Sequence, residues 1–179
     1  MKIRHVALLG LILMLGAFRS HAQIGGLLKK PTAESILADL DGGLEFFAKA
    51  VVYLNEALLP AEQAAKIAAE IKEKKGQELT AAIKAYTPAL EKTIAELIAA
   101  KAALDARQRG LVDKANSEIR KGVAKWTALG AATAIAVKNG GGDAAMVAAL
   151  PLAKQAIDDL PALKRLLDAT SELKKLKAK

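Results

Sequence analysis

The chain of 179 residues contains no cysteine, and its two histidines, His5 and His21, both lie near the start. Without thiols there are no disulfides, which excludes the small cross-linked secreted folds and every thiolate metal site. Aromatic residues are only 3 % of the chain, with Trp126 the single tryptophan. β-branched residues are also sparse, so nothing reads as a strand. None of Asn55, Asn116 and Asn139 begins an N-x-Ser/Thr sequon, and no apolar run reaches the roughly 20 residues that a membrane-spanning helix needs.

What is present begins with a leader. Lys2 and Arg4 precede an apolar run over 6–18, and Ser20-His21-Ala22 supplies a small-x-small end. This layout predicts a cleaved signal peptide over 1–22 and export to the periplasm or outside the cell. Cleavage would remove both histidines. It would also remove Lys2, Arg4 and Arg19 and no acid, so the formal charge of +8 becomes +5. At an exported site this basic excess suits anionic lipid, cell-wall polymer or acidic protein faces, and nucleic acid is not expected as a partner. Residues 23–30, with Gly25-Gly26 and Lys29-Lys30, read as a flexible tether, and 31–179 as one all-α domain.

Ala, Leu, Lys and Glu dominate that domain, and all four are strong helix formers. Thr32 is a plausible N-cap, with Glu34 in the first turn. Leu37, Leu40, Leu44, Phe47, Val51, Leu54 and Leu58 then recur at steps of three and four, a heptad pattern. Gly42-Gly43 interrupts propensity but not phase, predicting a kink or a close helix contact. Pro60 ends this helix and can open the next. Over 61–75, Glu62, Lys66, Glu70 and Lys74 form an alternating charged face opposite Ala64, Ile67, Ala68 and Ile71, and Gly76 reads as a C-terminal cap.

Ile83, Leu90, Leu97, Leu104 and Leu111 recur every seventh residue, and the stripe continues through Val112, Ala115, Ile119, Val123, Trp126, Gly130, Thr133 and Val137. Gly110, behind Arg107 and Arg109, marks the expected turn within this region, against one continuous helix. Gly140-Gly141-Gly142 is the clearest stop, with Asp143 positioned to cap the following helix. That helix is expected over 144–157, kinked by Pro151, with a new start at Asp159 and Pro161. The pattern as a whole predicts an elongated antiparallel helical bundle with coiled-coil-like heptad seams.

Chemical motifs are few. Ser171 and Lys174 spell S-x-x-K, but the companion elements of serine-nucleophile enzymes are missing. Asp39-Leu40-Asp41-Gly42 resembles the start of a calcium loop, yet Leu44 and Ala50 stand where such a loop needs Gly and Glu. Asp158-Asp159 reads as helix capping. No catalytic, metal or cofactor residue is therefore assigned. The expected function is that of a non-catalytic envelope protein: a scaffold, adaptor or chaperone with a protein partner or self-association. The alternative is membrane activity, through the small-residue hairpin over 126–153 or the basic C-terminal helix. Candidate contact residues for a membrane or partner are Lys174, Lys175, Lys177, Lys179 and Trp126.

Overall fold

Thr32 opens the first helix. In the computed structural model, which describes residues 31–139, 142 and 144–176, its hydroxyl accepts from the backbone N–H of Ser35, and the Ser35 hydroxyl accepts in turn from the Thr32 N–H. This reciprocal cap satisfies two N-terminal donors that have no intrahelical partner. Helix α1 runs over Ala33–Leu58, and Pro60 starts α2, Ala61–Glu73. Helices α3 (Gly76–Ala99), α4 (Ala106–Lys138) and α5 (Ala144–Leu173) follow, and no strand occurs among the described residues. The predicted leader and tether, with Asp143, Lys177 and Lys179, fall outside the described residues.

Three expected boundaries are corrected. Gly76 does not close α2 but opens α3: Lys74 and Lys75 are extended, and the reversal into α3 requires a φ of +50° at Gly76. Only glycine adopts that conformation without steric cost. The break between α3 and α4 falls at 100–105, not at Gly110. Lys101 adopts a φ of 48°, while the N–H groups of Ala102 and Lys101 bond the carbonyls of Leu97 and Ile98, each at 3.0 Å. That is a Schellman ending in which lysine occupies the position glycine usually takes. Asp105 then caps α4 reciprocally with Gln108. Finally, α5 is one helix through both Pro151 and Pro161. Each proline deletes one backbone bond, but both are exposed, and the opposite face is buried at Ala149, Ala153, Ala156, Leu160 and Leu163. Tertiary packing holds the helix across the missing bonds. Asp158 and Asp159 accordingly lie in mid-helix rather than at a cap.

The helices pack as a bundle in which α1 touches every other helix and shares its largest interface with α4. Gly43 lies against Trp126, Gly122 against Phe47, and Gln108 Nε2 donates to the Ala57 carbonyl at 3.0 Å, so α1 and α4 are antiparallel. Asn116 with Thr170 and Gly130 with Ile157 make α4 and α5 antiparallel as well. The partners Lys84–Asp159 and Glu91–Arg165 instead make α3 and α5 parallel. An antiparallel bundle is thus the rule for α1–α4–α5 and not for α3. Short α2 buries only Ala64 and Ile71 and is not a full layer of the core.

Buried positions differ in detail from the sequence pattern. On α1, Ile36 is fully buried and Leu37 is 37 % exposed. On α4 the buried row is Val112, Ala115, Ile119, Gly122, Trp126, Leu129, Thr133 and Ala136, whereas Val137 is 59 % exposed. The glycines of α1 and α4 explain the close approach. A Cβ on Gly43 would fall 2.0 Å from Trp126 Nε1, and one on Gly122 would fall 2.7 Å from the Phe47 ring. Gly42-Gly43 therefore serves a helix contact. Trp126 fills that contact, donating to the Leu40 carbonyl at 3.1 Å and meeting Phe47 edge-to-face with centroids 4.9 Å apart.

Candidate functional site

Helix α2 leans on α1 but scarcely touches α3, and a groove of about 840 Å³ opens between these three helices. Its floor is apolar and buried: Leu44 from α1, Ile71 from α2 and Leu79 from α3. Val52 and Tyr53 form half-buried walls. Ala48 of α1 and Ala68 of α2 line the groove with only a methyl group each. The volume falls within the roughly 300–1,000 Å³ typical of sites for small ligands.

The rim is charged unevenly. Lys49, Lys72, Lys74 and Lys75 line the groove against two acids, Asp41 and Glu45. Lys74 is engaged by Glu70 at 3.5 Å. The Lys49 ammonium lies 5.9 Å from the Phe46 ring centroid, a cation–π distance. Lys72 and Lys75 form no ion pair among the described residues. Helix α2 is tied to α3 by a side-chain bond in which the Tyr86 hydroxyl of α3 donates to Glu70 of α2. That bond, helped by Lys74, holds the Glu70 carboxyl below its ordinary range. The same bond raises the Tyr86 phenol, since losing its proton would set two negative groups together.

The sequence pattern marks none of the groove residues as a contact. Its signal is only indirect, in the alanines of α2 and the Lys72–Lys75 cluster. Of the contact residues expected from the sequence, Trp126 is 2 % exposed and spends its indole N–H on Leu40. It is a core residue, not a surface contact, because the Gly43 and Gly122 gaps draw the ring inward. Lys174 pairs with Asp113 at 2.9 Å, and Lys175 pairs with Glu172. Ser171 donates to the Leu167 carbonyl at 2.7 Å and accepts from Asn116 at 2.9 Å, so the S-x-x-K residues turn to different partners. Asp39 binds Lys125 at 3.0 Å.

A second cavity, of about 130 Å³, lies between α3 and α5. It holds Glu91 and Asp159, whose Oε1 and Oδ2 atoms are buried without a hydrogen-bond donor among the described residues. Arg165 stands 3.8 Å from Glu91 Oε1, and Lys84 stands 2.8 Å from the other oxygen of Asp159. Its volume falls below the roughly 300–1,000 Å³ typical of sites for small ligands. Among the described residues no group of three or more acidic or histidine side chains converges as a metal site, and no helix is long and apolar enough to cross a membrane. No family model, curated protein or solved structure matches this chain.

Proposed function

We propose that the mature chain is an exported, non-catalytic binding protein of the cell envelope or extracellular space. It works as a scaffold, adaptor or chaperone, and its working surface is the groove between α1, α2 and α3. The observation that carries this reading is the open groove itself, a buried apolar floor flanked by Ala48 and Ala68 and bordered by lysines. The rows of buried residues on α1 and α4, spaced by threes and fours, support the finer view of coiled-coil-like seams that stiffen the bundle behind that surface. A membrane role for the C-terminal lysines has less support, since Lys174 and Lys175 are already neutralised by Asp113 and Glu172.

A neutral solvatochromic dye tests the site. Nile red should bind the wild-type protein saturably at one site, with strongly increased emission. Ala68→Phe, which places a ring in the groove, should abolish most of that increase while far-UV circular dichroism stays unchanged. Absence of dye uptake, or equal uptake by the folded variant, overturns the groove as the working surface. Export is tested separately: the N-terminus of the native protein should be Gln23, and retention of Met1 overturns it.

A further inference from the structure

We infer that the α1–α2–α3 groove binds a long-chain fatty carboxylate, its single tail laid over Leu44, Ile71 and Leu79 and its head group held by Lys72 and Lys75. This rests on the groove being the working surface, and it narrows that reading to a chaperone for a small amphiphile rather than a scaffold or adaptor that holds a protein there.

Three features point to this chemistry. First, the groove is apolar between its charged rims: Leu44, Ile71 and Leu79 lie buried beneath it, and the half-buried Ala48, Val52 and Ala68 present the hydrocarbon surface from which a tail would displace water. Second, the capacity of about 840 Å³ matches a drug-sized ligand, which favours one tail over the two of a membrane phospholipid. It also favours a small amphiphile over a protein helix, whose diameter with side chains is about 10–12 Å and whose anchors repeat over several turns. Third, the rim is cationic where it is unpaired. Glu70 occupies Lys74 and Phe46 lies beside Lys49, leaving Lys72 and Lys75 as the rim lysines with no partner among the described residues. An anionic head group completes them. Asp41 and Glu45 stand on the same rim but are outnumbered by its lysines, so an anionic head group is favoured over a cationic one. Both lysine heads reach solvent, so the head-group preference should weaken as salt rises.

The test is competition for bound Nile red by oleate, methyl oleate and a cationic amphiphile of equal chain length, below their aggregation concentrations. Oleate should displace the dye at a concentration about two- to fivefold lower than either competitor, the effect of a solvent-exposed charge pair. The double variant Lys72→Glu/Lys75→Glu should still take up Nile red but lose that preference. Equal displacement by oleate and methyl oleate, or an unchanged preference in the double variant, overturns the fatty-carboxylate assignment and leaves the groove as a binding surface. Displacement by an acidic amphipathic peptide at lower concentration than oleate overturns it in favour of a protein partner. Failure of Nile red to bind the wild-type protein at all is the distinct outcome that removes the groove itself.

Discussion

Replacing Gly43 by alanine is the sharpest test of how α1 and α4 are held together. The new Cβ would lie 2.0 Å from Trp126 Nε1 and 2.2 Å from Cδ1, about 1.4 Å short of the 3.4 Å at which ordinary contact begins. The indole cannot retreat freely, because it is 2 % exposed and packed edge-on against Phe47. Moving the ring or the helix by that amount breaks the 3.1 Å bond from Trp126 to the Leu40 carbonyl. The Leu40 carbonyl keeps its intrahelical partner, but the buried indole N–H is left without an acceptor, at a cost of about 1–3 kcal/mol. Overpacking a filled interface costs about 1–3 kcal/mol more. Alanine's better helix propensity returns about 1 kcal/mol. The net expectation is a loss of about 3 kcal/mol, a large part of the roughly 5–15 kcal/mol that holds a domain folded. Urea titration followed by far-UV circular dichroism would measure it. Trp126 is the only tryptophan, so its emission reports the same site and should shift to the red in the folded variant. A loss below about 0.5 kcal/mol, or a gain from helix propensity alone, would refute the claim that glycine is there to admit the indole.

The same reasoning predicts gains elsewhere. Gly110 is helical, and a methyl group added there would meet nothing within 4 Å, so Gly110→Ala should stabilise by about 0.5–1 kcal/mol in the same titration. Lys101→Gly should also stabilise, by about 1 kcal/mol, because it relieves a side chain held at a φ of 48°; a lower urea midpoint would contradict the Schellman ending. Asn116→Ala should destabilise by about 2 kcal/mol, since the buried amide joins Thr170, Ser171 and Arg120 across α4 and α5. For the Glu70–Tyr86 tie, the lowered carboxyl contributes stability above the ordinary carboxylate range that is lost as pH falls through its folded value. The raised phenol contributes below the ordinary phenol range, and that contribution is lost as pH rises through its folded value. Tyr86→Phe should therefore raise the Glu70 titration midpoint, as followed by carboxyl-carbon NMR; an unmoved midpoint would show that the hydroxyl is not its main perturber.

Helix content, the α1 start at Thr32, the reversal at Pro60 and the charged ladder of α2 are legible in the residues, because each rests on interactions within about four positions of one another. Glu62–Lys66 and Glu70–Lys74 pair as their spacing predicts. The break after α3 is hidden because Lys101 occupies the left-handed position where glycine is the usual mark, while the more conspicuous Gly110 sits inside a helix. Pro161 imitates a helix start because proline ends helices when nothing else holds them. Here the buried face of α5 continues past it, from Leu160 to Leu163.

The candidate groove is not legible, for a different reason. A cavity is defined by what fails to meet across helices, and the methyl groups of Ala48 and Ala68 signal helix propensity locally, not the space they line. Local order followed from the residues themselves, through capping, charge spacing and propensity. Tertiary packing alone decided that Trp126 turns inward against Gly43, that α3 and α5 run parallel, and that Leu44, Ile71 and Leu79 share an unfilled apolar floor, because each depends on contacts between residues far apart in the chain.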